Sequence, residues 1–189
     1  MSGTGTIISI NGTIIKSGSS TTVNPNLFID WYMPSKFELL QMYTYLHAFG
    51  VGNFSAELYF SSTESTGNAN SADTINFTGG FQGAAFKSTS RKVRPSRNFV
   101  SPKTFNLRDE GPAGGLIFYI IDLGNGTFRY FEAAPTDLGT LQWSNITDTF
   151  VGGLSAFISK SYSNTLKIIE QPGHTISAAS QCLSYEYNK

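Results

Sequence analysis

The chain has 189 residues, with 13 basic and 13 acidic side chains and therefore no net charge. This length is enough for one domain whose core needs neither a disulfide nor a metal. Zero net charge argues against a protein that binds nucleic acid or an anionic membrane. One cysteine and two histidines exclude an internal disulfide, a cysteine-based zinc site and a histidine-rich metal site.

Small neutral side chains supply most of the polarity of this sequence. Charged residues make up 14%, against roughly 25% in an average soluble domain, whereas Ser, Thr, Asn and Gly account for 74 of the 189 residues. With 40% apolar and 14% aromatic residues, the chain is too hydrophobic to be disordered. This composition favours β-strands that are joined by turns and long surface loops.

The first ten residues do not combine a basic region with an apolar run, so we expect no secretory signal. The longest apolar run, residues 116–121, is too short to span a bilayer, so we expect no membrane insertion. We therefore expect the chain to be made in a cytoplasm and to reach the outside, if it does so, in a particle that lysis releases.

Residues 1–27 are predicted to form a β-hairpin arm with a polar linker. Asn11-Gly12 suits a type I′ turn, and β-branched residues flank it on both sides. The apolar side chains of the arm are Ile7, Ile8, Ile10, Ile14 and Ile15. Because an isolated hairpin is marginal in water, the arm either pairs with its own domain or anchors the chain to a partner or a second copy.

The first predicted helix covers residues 35–49. Ser35 and Glu38 form the S-x-x-E pattern of a capping box, and Gly50 suits the helix end. The expected apolar stripe consists of Leu39, Met42, Tyr43 and Leu46.

Short strands and turns dominate the rest. Strands are expected at residues 58–60, 74–78, 81–90, 91–99, 116–121 and 127–133, with a flexible polar loop at 61–73. Asn164 is expected to cap a helix that runs to Glu170, and residues 176–185 are expected to form another helix with Cys182 facing inward. The predicted class is α+β.

Five segments together resemble one family. They are residues 30–39 (DWYMPSKFEL), 59–65 (YFSSTES), 93–99 (VRPSRNF), 111–119 (GPAGGLIFY) and 130–135 (YFEAAP). They are similar to motifs of the bacterial and phage domain of unknown function that is related to the C-terminal domain of a collagen-like adhesin. The resemblance covers roughly residues 30–188 and implies a C-type lectin-like fold, as in formylglycine-generating enzymes, for a domain at 28–189.

The order of these segments departs from the family. There the GPAGG segment comes first and the VRP segment last, whereas here VRP precedes GPAGG, and residues 178–188 resemble the part that normally leads into the DW segment. The sequence is therefore interpreted as a circularly permuted C-type lectin-like domain. Residues 100–110 close it within one chain, or the second half of one chain completes the first half of the next.

Candidate chemistry is sparse. Glu170-Gln171-Pro172 and Trp143-Ser144-Asn145 resemble calcium-site triplets of C-type lectins only by chance, so no metal or cofactor is expected. Cys182 is interpreted as a small buried hydrophobe, and no serine lies in a nucleophile elbow, so no enzymatic activity is expected. A local cluster of five basic residues is interpreted as structural rather than as a phosphate-binding site. Its members are Lys87, Arg91, Lys92, Arg94 and Arg97.

The predicted ligand-binding surface follows the YFSSTES strand, where the resemblance places the ligand-facing side. Its candidate residues are Glu64, Asn68, Asn70, Asp73 and Gln82, whose groups donate and accept hydrogen bonds. The alternative interpretation is a solvated connection between strands.

These observations lead to one functional prediction and an alternative. The chain is predicted to be a non-enzymatic structural protein of a bacteriophage virion, as a capsid decoration, head-fibre or tail-fibre subunit. Residues 1–27 would contact other virion proteins, the domain would bind a glycan of the host surface, and the chain would form a homo-oligomer. The alternative is a bacterial cell-surface adhesin or carbohydrate-binding module.

Overall fold

The computed structural model describes residues 8–10, 13–15 and 26–188. Within them the chain forms twelve β-strands, three α-helices and one short 3₁₀ helix. The strands are β1 (Ile8–Ile10), β2 (Thr13–Ile15), β3 (Leu27–Phe28), β4 (Leu58–Glu64), β5 (Ser71–Asn76), β6 (Phe81–Phe86), β7 (Ser90–Lys92), β8 (Ser96–Ser101), β9 (Leu116–Asp122), β10 (Phe128–Ala133), β11 (Thr140–Gln142) and β12 (Tyr187–Asn188). The helices are α1 (Lys36–Tyr45), α2 (Ser161–Ile169) and α3 (Ala178–Leu183), and the 3₁₀ helix is His47–Phe49.

Two sheets contain most of the strands. The larger has the order β11-β7-β4-β5-β6, with β4 and β7 parallel and the other neighbours antiparallel. The smaller is antiparallel with the order β8-β10-β9. Separately, β3 pairs with β12 and β1 pairs with β2. The predicted α+β class is confirmed: the described residues are mostly in sheets, with few helices and no barrel.

Helix α1 lies between the two sheets. Ser35 caps it, since its Oγ accepts the N–H of Glu38 at 3.3 Å, as the sequence pattern predicts. The helix ends earlier than predicted, at Tyr45, and a 3₁₀ turn continues to Phe49, where Gly50 closes the segment with a φ of 72°. The residues buried around the helix are Leu39, Met42, Leu46, Tyr59, Ile75, Phe77, Phe118, Phe131 and Ala133.

The other face of the larger sheet carries a second core. Trp143 lies at its centre, fully buried, with its Nε1–H donating to the carbonyl oxygen of Ser61 at 2.8 Å. Helices α2 and α3 cover this face. The buried side chains here are Met33, Phe60, Ala72, Val93, Trp143, Ile168, Ala178, Ala179 and Cys182. The strands β4 and β5 of the larger sheet are therefore covered on both faces, whereas β6 is largely exposed.

A buried ion cluster ties the first half of the chain to the second. The Arg97 guanidinium, 2% exposed, donates to both carboxylate oxygens of Asp30 (2.8 and 2.9 Å) and to Glu132 Oε2 (2.8 Å). Burial lowers the pKa of Arg97, but the two carboxylates outweigh it and raise that pKa. The charge of Arg97 is therefore retained inside the protein.

The GPAGG segment wraps the other oxygen of the same carboxylate. Glu132 Oε1 accepts the N–H groups of Ala113 and Gly115 at 3.1 and 2.8 Å. A Cβ on Gly111 would lie 2.5 Å from the Glu132 carboxyl carbon, and one on Gly115 would overlap the Ala133 carbonyl oxygen. Glycine is required at these two positions because the backbone passes so close to Glu132 and its neighbour.

Segments from the two halves of the sequence pack together in the smaller sheet. Strand β8, from the VRP segment, and strand β9, after GPAGG, flank the same central strand β10. At the chain end, β12 pairs with β3, and Tyr185 contacts Trp31 edge to face with 5.3 Å between ring centroids. The segment that ends the chain therefore lies beside the DW segment.

Two local predictions are wrong. Residues 61–64 continue β4 and residues 71–73 belong to β5, so the expected polar loop shrinks to a short turn. The buried hydroxyl groups of β4 form hydrogen bonds within the protein instead of contacting water. Thr63 Oγ1, for example, accepts the N–H of Lys36 at 3.1 Å. Asn164 does not cap α2, which begins at Ser161, because its buried side chain bonds both the N–H and the carbonyl of Ser155.

The arm has the predicted hairpin pairing. In β1 and β2, Ile8 lies opposite Ile15 and Ile10 lies opposite Thr13, on the two sides of the predicted Asn11-Gly12 connection. That connection, Ile7 and residues 16–25 lie outside the described residues. Whether the arm binds its own domain or a partner stays a prediction.

The close approach at Gly115 predicts a sharp difference between two Gly→Ala variants. We expect Gly115→Ala to lower the free energy of unfolding by about 3 kcal/mol, because the added methyl overlaps the Ala133 carbonyl. Gly83→Ala is the matched control, since its Cβ would meet only Thr74 Oγ1 at 3.6 Å, and we expect a change within about 1 kcal/mol. Urea unfolding of both variants measures this difference, and equal stabilities would contradict it.

Burial of Glu38 predicts that stability depends on pH. Desolvation raises the pKa of Glu38 to about 7, against hydrogen bonds from Ser161, Ser159, Ser35 and Ser96 that lower it. Between about pH 4.5 and pH 7 the folded state therefore holds a proton that the unfolded state has lost. The stabilisation that this proton gives the folded state is fully present below about pH 4.5. It is lost as the pH rises to about 7, and the free energy of unfolding then falls by on the order of 3 kcal/mol.

Urea unfolding across this window tests that dependence with Glu38→Gln. We expect the stability of the unaltered chain, relative to Glu38→Gln, to fall between pH 4.5 and 7 and to stay constant above pH 7. Glu57→Gln is the control, since the Glu57 side chain is 55% exposed, and its profile should run parallel to that of the unaltered chain. A parallel profile for Glu38→Gln would refute the prediction.

Candidate functional site

The five residues predicted to contact a ligand do not lie on one face. Glu64 is paired with Ala72 across β4 and β5, and Asp73 is the next residue of β5. Because consecutive residues of a strand point to opposite faces, Glu64 and Asp73 are on opposite sides of the sheet. Asp73 faces α1, where its carboxylate pairs with Lys36 Nζ at 3.1 Å. The sheet therefore separates the two predicted carboxylates.

The remaining three predicted residues are exposed. Asn68 and Asn70 form the turn between β4 and β5, in which Asn68 Oδ1 accepts the N–H of Asn70 at 3.0 Å. Gln82 lies on the outer strand β6, opposite Ile75 and thus on the same face as Asp73. The role of these exposed side chains in ligand binding stays a prediction.

Glu64 has a positioning role in the structure. Its Oε1 forms an ion pair with Lys87 Nζ at 2.7 Å, and the lysine side chain is fully buried. The same carboxylate accepts the N–H of Val151 at 2.8 Å and that of Gly152 at 3.0 Å. Lys87 Nζ also donates to the carbonyl of Thr149 at 3.1 Å. The buried Glu64–Lys87 pair therefore fixes the position of the segment 149–152.

The segment 149–152 forms one wall of a cleft of about 450 Å³. The opposite wall is the last turn of α2 and the Glu170-Gln171-Pro172 turn after it. Lys167 Nζ donates to the carbonyl of Gly153 at 2.8 Å and Gln171 Nε2 to that of Thr149 at 3.3 Å, which fastens the two walls together. The volume lies within the usual range of small-molecule sites.

The cleft combines one aromatic ring with a few polar groups. Phe150 is 48% exposed, and Lys167 and Glu170 are also exposed. Gln171 Oε1 is buried without a hydrogen-bond partner, and its amide cannot be reversed without placing oxygen against the Thr149 carbonyl. An apolar face, a carboxylate, an ammonium and an amide suit a small ligand rich in hydroxyl groups.

The buried members of the basic cluster have structural roles, as the sequence predicts. Arg94, 1% exposed, donates to Asp137 Oδ1 at 2.6 Å and to the carbonyls of Gly52 and Ala134 at 2.8 Å each. Lys87 and Arg97 are used in the ion pairs described above. These side chains are therefore not available to bind phosphate.

Two groups with catalytic potential, Cys182 and His174, are engaged in the fold. Cys182 is fully buried, and desolvation raises the pKa of its thiol. His174 Nε2 lies 2.9 Å from Ser177 Oγ, but that oxygen caps α3 by accepting the N–H of Ser180. In the part of the chain that the structure describes, no three His, Cys, Asp or Glu residues are grouped to hold a metal. None of the described helices has the length and apolarity to cross a bilayer.

Sequence reasoning missed the cleft. The sequence shows Glu170-Gln171-Pro172 only as a chance likeness to a calcium-site triplet, and Phe150 belongs to no motif. The available indication was an aromatic residue, Phe150, within the turn-rich segment Thr147 to Gly153. The pairing of this segment with the end of α2 comes from long-range contacts that no local pattern reveals.

Comparison with protein-family models, curated proteins and solved structures finds no match to this chain.

Proposed function

We propose that this chain is a non-enzymatic structural protein of a bacteriophage particle whose domain recognises a glycan. The domain would have a C-type lectin-like fold in circularly permuted order, with residues 1–27 as an arm that contacts other virion proteins. The observation that carries the recognition role is the cleft between the segment 149–152 and the end of α2. The resemblance of five motifs supports the fold assignment.

The chain order is compatible with a permuted lectin-like domain. The pairing of β12 with β3 brings the last residues of the chain next to Trp31, the second residue of the DW segment. Residues 102–115 connect β8 to β9 on the two sides of β10, where the family would have its termini. A permutation needs these two features: neighbouring old termini that a loop can join, and new termini that lie together.

The chemistry of the cleft supports glycan recognition. The Phe150 ring offers an apolar surface to the C–H face of a sugar, and Glu170 and Lys167 offer an acceptor and a donor to its hydroxyls. The buried Glu64–Lys87 pair holds this wall in place without a ligand, so little ordering is needed on binding.

Binding to bacterial surface glycans tests the recognition role. We expect the purified full chain to bind at least one glycan on an array of bacterial surface polysaccharides and their oligosaccharides. Phe150→Ala should weaken that binding about tenfold or more, through loss of the stacking surface. Phe49→Ala is the matched control, because Phe49 is 60% exposed outside the cleft. Absence of binding, or equal binding by Phe150→Ala, would refute the recognition role.

The particle role is tested by immunogold electron microscopy of lysates from the source culture with an antibody against this chain. We expect label on particles, on heads for a decoration protein or on tails for a receptor-binding one. Label on cell envelopes with bare particles would overturn the virion proposal in favour of a bacterial adhesin.

A further inference from the structure

We propose that strand β6 is a dimer interface, in which two copies of this chain pair through β6 and join their larger sheets into one. This inference rests on the free edge of the larger sheet and does not depend on the proposed function. Strand β6 pairs with β5 on one side and with no strand of the described residues on the other. A free edge presents unpaired backbone N–H and C=O groups to solvent, and an extended strand is the partner that satisfies them.

The features that normally protect a free edge are missing from β6. The strand, Phe-Gln-Gly-Ala-Ala-Phe, has six residues without a charge, a proline or a bulge, and it pairs in continuous register with β5 from Phe81 to Phe86. Phe81 is 73% exposed and Phe86 is 59% exposed. Natural sheets use charges, prolines, bulges or short strands to prevent pairing at an open edge. Their absence here indicates an edge that is covered in the assembled protein.

Other outer strands of the two larger sheets contrast with β6. In the described residues, β8 is bridged at Ser96 by Tyr32, β9 carries the exposed Asp122 and β11 has only three residues. The nearest charge to β6 along the chain, Lys87, is buried and neutralised by Glu64. In a self-paired strand every charge occurs twice across the pair, so a strand without charge avoids repulsion between like charges. Among these edges, β6 alone combines that property with a length of six residues.

Geometry also favours a second copy of β6 as the occupant. In an antiparallel pair with a two-fold axis normal to the sheet, residues that face each other share one face, so the axis passes beside Gly83 or Ala84. With the axis at Gly83, Phe81 lies opposite Ala85 of the second copy. With the axis at Ala84, Phe86 lies opposite Gln82 of the second copy. In both arrangements, small residues at the centre leave room for the rings.

The mass of the full chain in solution is the first test. We expect light scattering after size exclusion to give twice the 20.6 kDa of one chain. Ala84→Lys places two like charges at the centre of the pair and should give the mass of one chain with an unchanged circular dichroism spectrum. Ala48→Lys, at an exposed position outside the sheets, is the matched control and should remain dimeric. A single-chain mass for the unaltered protein at all concentrations, or a dimer of folded Ala84→Lys, overturns the proposal.

Cysteine crosslinking distinguishes β6 from the arm as the interface and does not rely on Ala84→Lys. A residue opposite itself in an antiparallel pair has a Cα–Cα distance of about 4.5–5.5 Å, which a disulfide can span. We expect Gly83→Cys or Ala84→Cys to give a covalent dimer on mild oxidation. The unaltered chain, whose buried Cys182 is shielded, and Ala48→Cys should not. A dimer that crosslinks at neither position 83 nor 84 overturns the proposal and indicates pairing through the arm.

Discussion

The buried guanidinium of Arg97 connects the parts of this molecule that are distant in sequence. It is held by Asp30, just before α1, and by Glu132 on the central strand of the smaller sheet. The same Glu132 carboxylate orders the GPAGG turn through two backbone N–H groups. Removal of one member would leave an uncompensated charge in the interior, which is strongly destabilising. The glycines of the turn are needed because the backbone must approach this carboxylate closely.

Buried hydroxyl groups have a second organising role. Ser161 Oγ accepts the N–H of Ser35, and Thr165 Oγ1 accepts that of Met33, so α2 supplies hydrogen-bond partners to the irregular segment before α1. Thr63 on β4 does the same for Lys36. A backbone N–H buried without a partner costs free energy, and these side chains avoid that cost where no strand is adjacent. The many Ser and Thr residues of the sequence are therefore used in the interior as well as on the surface.

The larger sheet provides both surfaces on which the proposals rest. On the face that carries Trp143, the Glu64–Lys87 pair holds the wall of the cleft. At its outer edge, β6 leaves backbone groups free for another strand. The two surfaces have different requirements. The cleft requires polar groups in fixed positions, and the edge requires an uncharged strand. A dimer through β6 would present two clefts, and two weak sites on one dimer would bind a multivalent glycan more tightly than either alone.

The sequence alone determined the local features of this protein. The S-x-x-E cap at Ser35, the Asn-Gly hairpin, the strand after GPAGG and the buried Cys182 all follow from short-range patterns, and the α+β class follows from their sum. Only the tertiary structure decided which polar side chains form bonds inside the protein and which face solvent. Glu64 was predicted as a ligand contact, but it is an internal partner of Lys87, and the serines predicted in a loop belong to a buried strand. A polar side chain is predicted to be exposed unless its buried partner is known. Lys87 lies 23 residues from Glu64 along the chain, and Asn164, which donates to Ser62 Oγ, lies 102 residues from that serine.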